Sequence, residues 1–272
     1  MIGPEALSRF KMQTEQEPPF YGGSLINKKV YSIMKKAIDF KINIASLTVR
    51  LAGNQEQTLS FCKEYLTDDE KVDIFVSASE EEVDGEIARH ACGGTREYYE
   101  KIYLYRQMAE RLPEFDCFAF HGAAIKVGGK GFVFSAPPGT GKSTHIMLLK
   151  KYFGDAVTVI NGDKPIIRVA EEGATICPCP WAGKEGWQTK EEAPLSGIVL
   201  LKRGKVSSIK RISPSEYLEE LIKQAYLPEN SEAFLKTLEL MDRATKNVPF
   251  YLLECDISKS AAEASFEVIS SI

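Results

Sequence analysis

The chain contains no apolar run approaching the roughly 20 residues that cross a bilayer as a helix, and its N-terminus carries no apolar signal core. A cytoplasmic protein with no membrane span is therefore expected. Positive charge is not in excess either: 34 Lys and Arg face 38 Asp and Glu, for a net charge of -4 with both signs mixed. Nucleic acid is not an expected partner, because a polyanion needs clustered basic charge. Of six cysteines only Cys177 and Cys179 lie close together, with no second pair and no neighbouring histidine. Metal-ligand spacing is thus missing, and buried thiols in a reducing compartment are expected. There is no internal repeat, no low-complexity segment, and only three histidines, His90, His121 and His145.

What is present is one stretch that organises the rest. An apolar run, Phe132-Val133-Phe134, leads into Ser135-Ala136-Pro137-Pro138-Gly139-Thr140-Gly141-Lys142-Ser143-Thr144, followed by the periodic segment Ile146-Met147-Leu148-Leu149-Tyr152. This predicts a strand, a tight loop and a helix whose first backbone N–H groups face the loop, an arrangement that attracts an anion. Pro138, Gly139, Thr140, Gly141, Lys142, Ser143 and Thr144 are the predicted phosphate-binding residues. The glycines allow close backbone approach, Lys142 supplies a point charge, and the Ser143 hydroxyl is placed for magnesium. The Walker pattern is met except at its first glycine, where Ala136 stands.

With 272 residues the chain can hold one large domain or two small ones. Residues 1–24 read as a loose arm, and Leu25 to Ile38 as an amphipathic helix with a lysine-rich outer side. Ile42 to Leu51 changes side-chain parity at Ala45-Ser46, which predicts one strand with a bulge. Ser79 and Glu82 form a capping-box signature. Arg96 to Leu112 predicts a helix with Tyr98, Ile102, Tyr105, Met108, Ala109 and Leu112 on its buried face. Gly128-Gly129 marks a hairpin turn. Residues 197–201 and 206–209 read as a second hairpin over Lys202-Arg203-Gly204, and Ser231 as the start of a helix to about Asn247. Asp163 follows a short apolar strand about twenty residues beyond Lys142, where a magnesium-side acid belongs in nucleotide folds; Asn161-Gly162-Asp163 is equally good turn chemistry.

Phe120-His121-Gly122-Ala123-Ala124, the glycine loop, Ile160-Asn161-Gly162-Asp163-Lys164-Pro165, Pro180-Trp181-Ala182-Gly183-Lys184 and Pro194-Leu195-Ser196-Gly197-Ile198 follow one another in this order. In that order and spacing they resemble the HPr kinase/phosphorylase-like proteins of the phosphoenolpyruvate carboxykinase superfamily, and more closely its stand-alone bacterial members of unassigned substrate. The resemblance covers about residues 42–270. It implies an α/β fold with a mixed central sheet and a phosphate-binding loop, plus a smaller leading α/β layer. The expected organisation is an arm and helix over 1–40, a leading subdomain over 41–115 and a nucleotide-binding kinase-like domain over 116–272. ATP and Mg2+ are implied as cofactors, and a hydroxyl on a protein, peptide or small molecule as phosphoryl acceptor; homo-oligomerisation stays open.

Residue by residue, the resemblance puts Lys142 across the outer phosphates, Ser143 and Asp163 on the metal, and His121 near the transferred phosphate. Without it, His121 would read as a core histidine. Lys184 joins His121 in neutralising charge as phosphoryl moves. One departure stands out: the family carries two adjacent acids where this chain has Gly162 and Asp163. A kinase is the leading expectation, and a nucleotide-binding regulator without phosphotransfer is the alternative. Carboxykinase chemistry is not expected, because no set of histidines and arginines for a separate metal and oxaloacetate is found.

Overall fold

Ile38–Ile44 (β1) and Leu47–Gly53 (β2) pair antiparallel with Ile44 opposite Leu47. Between them Ala45 and Ser46 have φ of 51° and 64°, the two-residue turn whose twist suits a hairpin. The single bulged strand expected here is therefore two strands, because the parity change at Ala45-Ser46 is a reversal of the chain. This is a computed structural model, describing residues 37–90 and 93–272. The arm and the amphipathic helix expected before Ala37 lie outside the described residues, apart from the last positions of that helix, where β1 already begins.

β2 pairs in parallel with Ile74–Ser77 (β3), completing a three-stranded sheet. Helices Glu56–Cys62 (α1), Glu80–Arg89 (α2) and Arg96–Arg111 (α3) accompany it. Ser79 and Glu82 form the reciprocal capping box at the start of α2, and Thr95 caps α3. The buried face of α3 carries Tyr99, Glu100, Leu104, Tyr105, Met108 and Ala109, whereas Tyr98 is exposed. Tyr105, Met108, Ala109 and Leu112 of the expected face are buried, Ile102 is half-buried, and Glu100 joins them for a polar reason. Its carboxylate accepts from the Asn54 N–H at 2.8 Å, the Gln55 N–H at 3.2 Å and the Thr58 hydroxyl at 2.7 Å, closing the N-terminus of α1.

The larger sheet has nine strands. Cys117–Ala119 (β4), Ala123–Val127 (β5), Lys130–Ser135 (β6), Thr158–Asn161 (β7), Ile166–Ala170 (β8), Gly173–Cys177 (β9) and Ala193–Arg203 (β10) lie in the order β4-β8-β9-β10-β6-β5-β7. Ser208–Ile212 (β11) and Phe250–Cys255 (β12) continue from β10. β10 is long enough to curl the sheet. Its first residues pair antiparallel with β9, and the rest runs parallel between β6 and β12. The hairpin expected over Lys202-Arg203-Gly204 does not form: β12 takes the edge of β10 from Ile198 to Arg203, and β11 pairs with β12. Nothing local to residues 197–209 announces a strand arriving from fifty residues downstream.

Alternate side chains of the inner strands face opposite layers. Ile198 and Leu200 point toward Leu218–Ile222 (α5) and Ser231–Thr245 (α6), in a cluster with Leu221, Leu240 and Met241. Val199 and Leu201 point toward Lys142–Phe153 (α4) and Lys259–Ser271 (α7), with Ile146, Leu149 and Ala262. Burial on both faces explains the continuous apolar run of this strand. α6 begins at Ser231, as expected, and Asn230 caps it by accepting from the N–H groups of Glu232 and Ala233.

Candidate functional site

β6 ends at Ser135 and α4 begins at Lys142, so the glycine-rich stretch is a loop between a buried strand and a helix. Gly139 and Gly141 have φ of 77° and 117°, backbone conformations that a Cβ would strain. The Thr140 N–H and hydroxyl both donate to the Pro137 carbonyl, at 3.2 and 2.7 Å, closing the turn. Arg203, at the end of β10, donates to the carbonyls of Gly139 at 2.5 Å and Thr140 at 3.1 Å. Because a trans peptide sets C=O and N–H on opposite sides, holding the Thr140 carbonyl turns the Gly141 N–H away from Arg203. No side chain caps α4, so the N-terminal N–H groups that every helix leaves unpaired remain open to an anion.

Lys142 opens this helix half-buried, its Nζ 2.9 Å from Nε2 of His121. Burial lowers its pKa, opposed by the nearby Asp163 carboxylate. His121 lies between β4 and β5, pinned on its other side by Gln224: the backbone N–H of His121 donates to the Gln224 carbonyl at 2.7 Å, and Nδ1 meets Gln224 Oε1 at 2.9 Å. An oxygen at Nδ1 assigns the ring proton there, which leaves Nε2 with a lone pair for the Lys142 ammonium.

Asp163 completes the group, with Oδ1 3.4 Å from His121 Nε2 and Oδ2 2.5 Å from Lys164 Nζ. The Asn161 side-chain oxygen accepts from the N–H groups of Asp163 and Lys164, at 2.9 and 2.8 Å, and the Gly122 N–H donates to the Asp163 carbonyl at 2.9 Å. Asn-Gly-Asp is thus a turn, and the turn aims the carboxylate at His121. Burial pushes the Asp163 pKa up, but His121 and Lys164 outweigh it and hold the carboxyl well below the usual range. Nε2 cannot serve both neighbours at once. With its lone pair it accepts from Lys142; protonated, it donates to Asp163.

Ser143, Gly162, Asp163, Trp181 and Lys184 border one cavity of about 480 Å³, which Lys101 on α3 also lines. Trp181 is buried, its indole N–H donating to the Lys101 carbonyl at 2.9 Å and its ring packed against Phe61 and Tyr105. Lys184 is exposed at this cavity, next to Gly183, which packs against Asp163. Pro138 is exposed on the loop, and Thr144 is half-buried in the first turn of α4. His145 is buried behind the loop, bonded to Ser265 at 2.9 Å, with its pKa lowered to about 4 by burial. His90 ends α2 on the surface.

Gly162 is closely packed. A Cβ there would lie 2.9 Å from the Ala182 carbonyl, and its own N–H donates to the Trp187 carbonyl at 2.9 Å. The segment carrying Trp181 therefore occupies the space that a second acid would need. Sequence reasoning missed Gln224, which no local pattern marks 103 residues from His121, and Arg203, which looked like a hairpin residue.

No protein-family model and no curated protein matches the chain. Among solved structures it is similar to the Hpr(Ser) kinase/phosphatase from Coxiella burnetii, with 8% identity and a TM-score of 0.33, over 56% of this chain and 97% of that one. A likeness that small decides nothing about the site.

Proposed function

We propose that the chain is a phosphotransferase that moves the γ-phosphoryl group of ATP, with Mg2+, to a hydroxyl acceptor. The observation that carries this is the meeting of Lys142, His121 and Asp163 at the start of an uncapped helix behind a glycine-rich loop. In this reading residues 116–272 hold the nucleotide, and the layer over 41–115 forms part of the acceptor's wall. Ser143 and Asp163 would hold the metal. They border the same cavity, and one ionised carboxylate with a hydroxyl suits a hard cation that draws its other ligands from water and phosphate. When bound, the ion would neutralise charge on the outer phosphates.

Pro138, Gly139, Thr140, Gly141 and Thr144 surround the phosphates, and Lys142 leaves His121 for a phosphate oxygen. Nε2 of His121, steadied through Nδ1 by Gln224, is then available to the acceptor's hydroxyl. The hydroxyl oxygen bonds to the γ-phosphorus, the bond to the ADP oxygen breaks, and the hydroxyl proton passes to Nε2. The imidazolium so formed is stabilised by Asp163. Lys184 neutralises charge from the loop side. His121 is thus the base in this reading, and no second acid is needed at Gly162.

The second reading, a nucleotide-binding regulator, is favoured by the carbonyl of Ala182 standing where that acid would be. Labelled ATP supplied with a panel of hydroxyl compounds and seryl peptides tests the two. Transfer by the wild type should fall about 10²- to 10⁴-fold in His121→Asn, the usual contribution of a positioned base, with ATP still bound. Tight ATP binding with no transfer to any hydroxyl would leave the regulator.

A further inference from the structure

The cavity beside Ser143 and Asp163 is walled on another side by the leading layer, through Phe61 of α1 and Tyr98, Lys101 and Ile102 of α3. The Lys101 ammonium stands 4.8 Å from the centre of the Phe61 ring. Three lysines and two carboxylates line the space: Lys101, Lys164 and Lys184 against Asp163 and Glu185. Asp163 is taken by Lys164 and His121. Among the described residues neither Lys101 nor Lys184 forms an ion pair, and Glu185 forms none either.

Glu185 and Lys184 are exposed, so water serves both. Lys101 is half-buried against an aromatic ring, and its charge is poorly compensated: a cation over a phenyl face gains less than one in contact with an anion. A cavity of about 480 Å³ lies within the size range of small-molecule sites. Its aromatic side, Phe61, Tyr98 and Trp181, suits an apolar body.

Resting on the phosphotransferase reading, we propose that the acceptor is a small anionic hydroxyl compound whose carboxylate or phosphate group is held by Lys101 beside Phe61, Tyr98 and Trp181. Lys101 is then a specificity residue, supplied by α3 rather than by the nucleotide-binding part.

Matched probes of equal size test this: N-benzoyl-L-serine against N-benzoyl-L-serinamide for the carboxylate, and glycerol 3-phosphate against glycerol for the phosphate. Binding is measured by titration calorimetry on the full chain, without nucleotide and with a non-hydrolysable Mg·ATP analogue. One or both anions should bind about tenfold more tightly than the neutral partner, as one charge-assisted hydrogen bond supplies. Lys101→Met should erase that ratio, and Lys101→Arg should preserve it. Circular dichroism reports folding, and Lys101→Gln replaces the methionine variant should that one fail to fold.

Equal binding within both pairs, no binding of either anion, or an unchanged ratio without the Lys101 charge overturns the proposal. Absence of Mg·ATP binding by the wild type instead overturns the phosphotransferase reading. The anion preference, read without nucleotide, stands or falls separately.

Discussion

Nζ of Lys142 and Nε2 of His121 lie 2.9 Å apart, joining the start of α4 to the connection between β4 and β5. The ammonium that a phosphate would claim is held by an imidazole whose other nitrogen is fixed by Gln224. In the proposed reading, a phosphate in the loop would draw the Lys142 ammonium toward it and free Nε2 of His121.

Replacing Lys142 by methionine keeps much of the packing and removes the charged donor. Loss of one such donor costs on the order of 3 kcal/mol in a transition state, so transfer should drop at least about a hundredfold and ATP binding should weaken. Calorimetry that finds equal ATP affinity in Lys142→Met and wild type would remove the loop from consideration as a nucleotide site.

Asp163→Asn should weaken Mg·ATP far more than metal-free ATP, because the lost contact is with the cation. The folded pKa of Asp163 is depressed, so its contribution to stability is present above the unfolded value of about 3.9 and lost only as pH falls through the lower folded value. Magnesium dependence should accordingly show no titration from this carboxyl between about pH 5 and 8. Unchanged magnesium dependence in the variant would remove Asp163 from the metal and leave it the partner of His121 and Lys164.

Gly162→Ala puts a Cβ 2.9 Å from a backbone carbonyl that cannot rotate away. Overpacking of this kind costs about 1–3 kcal/mol, readable as a lower midpoint in urea. Gly162→Asp should not raise transfer, because the loop carrying Ala182 and Trp187 must move before the acid fits. A stable Gly162→Asp protein with faster transfer would show that the space exists.

His145 is buried neutral, with a folded pKa of about 4 against about 6.5 when exposed. Above pH 6.5 both states are neutral and the group adds no pH dependence; as pH falls toward 4 the unfolded chain gains the proton first, and stability is lost. Between pH 7 and 5 this amounts to about 2 kcal/mol. Urea melts of wild type and His145→Gln should show the smaller acid loss in the variant, and equal losses would refute the assignment.

Much of this was legible locally. The capping box at Ser79 and Glu82, the turn at Gly128-Gly129 and the glycine loop between strand and helix each depend on residues within a few positions of one another, where turn and cap chemistry acts. On α3 the periodicity marked Tyr105, Met108, Ala109 and Leu112, which are buried, but not Glu100, which is buried for the N–H groups of Asn54 and Gln55, a demand set 45 residues away.

The sequence by itself determined the chemistry on offer: a lysine and a serine after two glycines, an aspartate in a turn, a histidine before a strand. Tertiary structure decided which of these meet and what else joins them. β12 displaced the expected hairpin by taking the edge of β10, leaving Arg203 at the strand's end to hold the glycine loop. Gln224 reached His121 only through the backbone pairing after α5, and Ala182 filled the space beside Gly162. Local propensity acts over a turn or two of chain, whereas hydrogen bonds and packing between distant segments depend on where the whole sheet brings them.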